Sequence, residues 1–174
     1  GSCFPKDIRG LVKSAAELNY EMEILNAVER VNENQKGILF EKICSKFGNN
    51  LQGKTVTVWG LSFKPGTDDI REAPSLKLIN SVLSAGGKIN AHDPEALIEA
   101  KKHYKKNKSI EFFSDHYEAL ENSDVLTICT EWKQYRQADL DKVKQFMIKP
   151  VVIDGRNIFN KDFMKRQEIE YWSI

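Results

Sequence analysis

"KTVTVWG", residues 54–60, reads as a β-strand: the β-branched Thr55, Val56, Thr57 and Val58 favour extended backbone, and Gly60 ends the run. Downstream of it the pattern alternates. "APSLKLINSVLSAGG" (73–87) carries Pro74 near its start and Gly86 at its end, as a helix does, and "KINAHD" (88–93) is a second strand. Residues 95–106 then read as helical, 110–113 as a strand and 115–121 as a short helix. "DVLTIC" (124–129) is the next strand, 138–146 a helix, "PVVID" (150–154) a strand, and "IEYWSI" (169–174) a final one. This βαβ rhythm predicts an α/β fold: a Rossmann-like, mostly parallel sheet with helices on both faces. Ligands of such sheets bind at the carboxyl ends of the strands.

Upstream, residues 5 to about 47 read as helical, with Pro5 at the first helical position and a break near Asn19. Ile24, Val28, Val31, Ile38, Leu39, Ile43 and Phe47 recur near a 3.6-residue period, interrupted by the polar run Asn32, Glu33, Asn34 and Gln35. As one helix, 21–47 would extend roughly 40 Å, which suits bridging between domains or packing on a partner. The chain therefore divides into a helical segment, 1–50, and the α/β domain, 51–174.

Bulk composition narrows the function classes. With 26 Lys and Arg against 25 Asp and Glu, the net charge of +1 provides no general field for nucleic acid or a membrane surface. No apolar run approaches the roughly 20 residues of a membrane helix, and the start lacks the apolar core of a signal peptide. Three scattered cysteines argue against a disulfide framework and for the reducing cytoplasm. No set of residues has the spacing of a structural metal site.

Three loops lie where the strand rule puts a site: "GLSFKPGTDDIRE" (60–72), "TEW" (130–132) and "DGRN" (154–157). In the first, Lys64 and Arg71 are suited to phosphate oxygens, Arg71 as a fork and Lys64 as a point charge; the alternative is a solvated loop with Asp69 paired to Arg71. In the third, Arg156 either reaches the crevice, oriented by Asp154, or belongs to a surface turn. Trp132 is read as packing rather than binding, with Glu131 a weaker candidate beside it. Asp93, preceding Pro94, reads as a helix cap rather than a ribose ligand. GxGxxG occurs nowhere, so topology alone assigns no nicotinamide cofactor.

The start, "GSCFPKD" (1–7), places Cys3 just before a helix, whose positive end and Lys6 both favour a thiolate, with Asp7 one turn on; the alternative is a spare thiol on a frayed end. Cys44 and Cys129 fall on apolar faces and read as core.

In this order, "GSCFPKD", "GLSFKPGTDDIREAPS", "HDP", "TEW" and "DGRN" resemble the C-terminal part of the UDP-glucose 6-dehydrogenases and of the nucleotide-sugar dehydrogenases generally. The first two motifs look more like the UDP-glucose members than the GDP-mannose or UDP-N-acetylmannosamine ones. The resemblance implies two NAD-dependent oxidations at the sugar C6, with Cys3 as covalent nucleophile and Asp7 positioning water or a proton. It further implies Phe63, Lys64 and Arg156 at the UDP-sugar, Lys6 and Arg71 approaching NAD, and a homodimer built through the long helix. The family's N-terminal NAD domain is missing here, so the chain reads as a fragment that binds the UDP moiety without turning over. His92 stands where a tyrosine is commoner.

Overall fold

The computed structural model describes residues 3–174, with Cys3 described by its backbone alone; Gly1, Ser2 and the thiol assigned to Cys3 lie outside the described residues. Six strands, β1 (Thr55–Trp59), β2 (Lys88–His92), β3 (Ile110–Phe112), β4 (Val125–Ile128), β5 (Val151–Asp154) and β6 (Glu170–Ser173), form one sheet in the order β3-β2-β1-β4-β5-β6. Every neighbouring pair is parallel, with Val58 opposite both Ala91 and Thr127 at the centre. All of β4 and β5, and β1 after Thr55, are buried on both faces, which is why they read as apolar runs rather than alternating ones.

Helices α1 (Cys3–Glu17), α2 (Glu23–Gln35) and α3 (Ile38–Phe47) precede the sheet. The helix expected to begin at Pro5 begins at Cys3 instead. No amide of a first helical turn has an intrahelical acceptor, so Pro5 is as acceptable at the third helical position as at the first. The single helix expected over 21–47 is also corrected. It starts at Glu23 and is interrupted at Lys36 and Gly37, where the Gly37 amide donates to Asn34 at 2.8 Å, a tighter three-residue turn. Both residues keep right-handed helical dihedrals, so the interruption is a local tightening at a glycine, not a reversal of the chain.

The two halves have different surroundings. Leu39 and Ile43 of α3 join the core over one face of the sheet, with α4 (Pro74–Ser84) and α5 (Leu97–Tyr104). Ile24, Val28 and Val31 of α2 stay exposed, at 79%, 43% and 63%. The opposite face is covered by a 3-10 turn (Glu118–Leu120), α6 (Lys133–Arg136), α7 (Leu140–Phe146) and α8 (Lys161–Arg166), around Trp59, Leu126, Ile128 and Tyr135.

Strand order reverses between β1 and β4, which opens a crevice beyond their carboxyl ends. The loops cross there at close range. A Cβ at Gly60, where φ is +94°, would lie 2.5 Å from the Thr130 side chain, so only glycine fits. Gly155 answers the same need on the neighbouring strand: a Cβ there would meet the Ile128 carbonyl at 2.9 Å and Leu39 at 3.0 Å, holding α3 off the sheet end.

Candidate functional site

A cleft of about 330 Å³ lies at this switch point, walled by Phe63 after β1, Cys129 after β4, and Gly155 and Arg156 after β5, with Leu39 of α3 on one side and Pro5 of α1 on another. Arg156 is held from two directions. Its Nε donates to Glu131 Oε2 at 2.5 Å and its Nη2 to the Phe63 carbonyl at 3.3 Å. A guanidinium fixed by those contacts presents its remaining N–H donors as a preformed anion site.

Asp154 does not orient the guanidinium, as had been expected of it. Fully buried, its Oδ1 accepts the Arg156 backbone amide at 2.8 Å, while Oδ2 accepts the Ile158 amide and the Tyr171 hydroxyl, both at 2.8 Å. It shapes the turn that carries Arg156, and Glu131 sets the side chain.

Phe63 lines the cleft; Lys64 does not, its ammonium standing 5.5 Å from the centre of the Phe63 ring on an exposed part of the loop. Arg71 lies apart from both. It pairs through Nε and Nη2 with the Asp69 carboxylate at 3.0 and 2.8 Å, its side chain 74% exposed, beside a separate shallow depression with Thr67 and Glu99. The hydrogen bond from Arg71 pulls the Asp69 carboxyl down to about 2. The pair with Asp69 is the contact that the sequence named in its alternative reading of this loop. Lys6 and Asp7 project from the first turns of α1 and pair with each other at 3.6 Å.

Asp93 ties the site together. Only 2% exposed, it accepts the Glu95 and Ala96 amides on Oδ1 at 2.9 and 2.8 Å, so it caps the turn that leads into α5 rather than the helix itself, whose N-cap is Ala96. Its Oδ2 also accepts the Leu61 amide at 2.7 Å and the Ser62 amide, Ser62 hydroxyl and Trp132 indole N–H, each at 3.1 Å. Trp132 thus packs, as expected, and donates a hydrogen bond as well. One carboxylate therefore fixes the ends of β1, β2 and β4 relative to one another.

That arrangement bears on NAD. In a dinucleotide fold the first βα turn gives its amides to a pyrophosphate. Here the Leu61 and Ser62 amides are committed to Asp93, so this turn does not fit a dinucleotide.

Beneath the site, His92 is 3% exposed, with Nδ1 2.7 Å from the Tyr135 hydroxyl and its ring 5.6 Å from that of His116. Burial, reinforced by the neighbouring His116, pushes the His92 pKa down to about 4, against attraction from Asp93 and Asp115. Burial lowers His116 too. The folded chain resists protonation of His92 while the unfolded chain takes up the proton near pH 6.5, so stability is full above that pH and is lost as pH falls towards 4. Between pH 7 and pH 5 the loss from His92 is about 2 kcal/mol. Urea titrations at the two pH values should show it, and His92→Gln should remove most of the difference; an equal slope in the variant would assign the loss elsewhere. Cys129, expected in the core, is there, and burial raises its thiol to about 12. Cys44 is only half-buried.

The comparisons with known proteins agree with this geometry. Residues 57–161 match the UDP binding domain of the UDP-glucose/GDP-mannose dehydrogenase family, and residues 1–34 match that family's central domain. The UDP-glucose 6-dehydrogenase of Pseudomonas aeruginosa is 46% identical over 162 residues, covering 91% of this chain and 36% of its own. That of Rhizobium meliloti is 35% identical over the whole chain and 39% of its own. The chain thus spans less than two fifths of the length of these relatives. Among solved structures, a UDP-glucose dehydrogenase from Pyrobaculum islandicum superposes with a TM-score of 0.83 at 32% identity, over 100% of this chain and 37% of the other. A GDP-mannose dehydrogenase from Pseudomonas aeruginosa superposes at 0.74 with 27% identity, over 99% and 38%. With the UDP binding domain of the family matched over residues 57–161, more than half of the chain, and the central domain over residues 1–34, the chain belongs to the UDP-glucose/GDP-mannose dehydrogenase family.

Proposed function

We propose that the chain is the nucleotide-holding part of a UDP-glucose 6-dehydrogenase, and that its cleft binds the UDP moiety of the sugar nucleotide. The observation that carries this is the convergence of Phe63, Arg156 and Pro5 on one cleft, because Pro5 stands two residues beyond Cys3 on α1. Arg156 supplies charge-assisted hydrogen bonds, Phe63 an apolar wall, and Lys64 a cation at the rim. Cys3 supplies the thiol that captures the C6 aldehyde covalently, and Asp7, one helical turn on, positions water or a proton there.

NAD, when bound, accepts the hydride. It is assigned to a domain of the parent enzyme outside this chain, with Lys6 and Arg71 approaching it from this side, since the first βα turn here is closed to it. Without that domain the chain does not turn over. The free Cys44 and Cys129 suit a reducing compartment, and among the described residues no helix is long and apolar enough to cross a membrane.

Titration calorimetry with UDP tests the reading: saturable heat at one site per chain supports it, and flat heats up to millimolar UDP reject it. The exposed stripe of Ile24, Val28 and Val31 is assigned to a second copy of the chain. In sedimentation the wild type should run as a dimer and an Ile24→Lys, Val28→Lys variant as a monomer. A monomeric wild type would reject that contact.

A further inference from the structure

We propose that Glu72 is a positioning residue: its carboxylate latches α1, the helix that begins at Cys3, to the loop that presents Phe63, and so sets how α1 meets the mouth of the cleft. The inference rests on the nucleotide-site reading for its purpose, though not for its geometry.

Apolar packing cannot hold the start of α1. Ala15, near the far end, is the buried hydrophobic residue of that helix among the described residues, while Phe4 and Leu11 are 74% and 52% exposed. Pro5 and Ile8 are half-buried, and the directed polar contacts of the first half come from Arg9. Its Nη1 and Nη2 donate to the two Glu72 oxygens, each at 3.3 Å, a paired fork on a carboxylate, and its Nε donates to Glu29 of α2.

Glu72 takes a second cation at the same time. Lys36, at the interruption between α2 and α3, donates to it at 2.9 Å and to Glu33 at 2.7 Å, with only 10% of the lysine side chain exposed. Lys77 of α4 donates to the Glu33 carbonyl at 2.7 Å. One carboxylate thus joins α1, the α2–α3 junction and the β1–α4 loop, and it lines the cleft itself. The hydrogen bond from Arg9, then that from Lys36, draws the Glu72 carboxyl down to about 2, so the latch stays charged at any ordinary pH.

The backbone adds a second, independent sign. Glu72 sits at φ 58°, a left-handed conformation that a non-glycine residue keeps only where its surroundings over-determine it. It also ends the loop whose Phe63 carbonyl accepts from Arg156. Loop and helix are therefore fastened at neighbouring points around one cleft.

Hydrogen exchange read by mass spectrometry on the ligand-free chain tests the latch. In Glu72→Gln, amides of residues 7–12 should exchange at least fivefold faster while those of β1, β4 and β5 are unchanged. Arg9→Gln should do the same, and the double variant should be no faster than the faster single one, because both remove one link. Glu72→Asp, which keeps the anion, should recover most of the protection. Exchange within twofold of wild type in Glu72→Gln, additive effects in the double variant, or no recovery in Glu72→Asp overturns the proposal. If the wild type binds no UDP, the nucleotide reading fails, and the exchange rates still decide the latch.

Discussion

Replacing Asp93 with alanine should cost the chain about 3–5 kcal/mol, the largest loss expected of any single loop substitution here. The buried carboxylate accepts six hydrogen bonds, from five residues in three segments. Removing it leaves the Leu61, Ser62, Glu95 and Ala96 amides and the Trp132 indole without acceptors in a place where water has little access. Asp93→Asn should be nearly as damaging, because the amide accepts at one atom only and turns donors towards donors at the other. In a chain of 174 residues a loss of this size lowers the melting temperature by about 10 °C. Urea denaturation of both variants measures it, and a loss below about 1 kcal/mol would show that the three loops hold their places without the carboxylate.

Much of the fold could be read from the chain because the strands are short, doubly buried and separated by helices with plain punctuation. Pro74 and Gly86 bracket α4, and the apolar runs of β1, β4 and β5 match strands covered on both faces. The helices that escaped were α6 and α8, at four and six residues too short to show a period. For α8 a signal existed: Asn160 accepts the Phe163 amide at 2.9 Å, an N-cap recognisable by residue type. The interruption at Gly37 had its signals in the glycine itself and in the polar run from Asn32 to Gln35, but the apolar repeat resumes at Ile38 and reads as one helix, although one half of that repeat packs on the sheet and the other half does not.

The site was legible in the same uneven way. Arg156 follows from the rule that ligands gather at strand ends, and Asp93 from its place before Pro94. Their partners did not follow, since Asp93 reaches Leu61 and Trp132 across 32 and 39 residues, and Glu131 reaches Arg156 across 25. Periodicity and spacing describe local order. Convergence of distant loops is a property of the sheet order that brings them together, and only the assembled sheet displays it.

The second large effect is on binding. Arg156→Ala should weaken UDP by about 10- to 100-fold, the range for removing one charge-assisted contact from a preformed site. Stability should move little, because the side chain is a third exposed and its ion pair with Glu131 is screened. Arg156→Lys should recover only part of the affinity: an ammonium restores the charge but cannot hold Glu131 through one nitrogen and present a fork with the others. Lys64→Ala should cost less than Arg156→Ala, since the Lys64 ammonium stands 5.5 Å from the centre of the Phe63 ring and outside the cleft lining. Calorimetry with UDP at two salt concentrations separates the cases, because the contribution of the exposed Lys64 should fade as salt rises while that of Arg156 persists. Equal affinities for wild type and Arg156→Ala would remove the guanidinium from the nucleotide site, and with it the chemical reason for placing a diphosphate in this cleft.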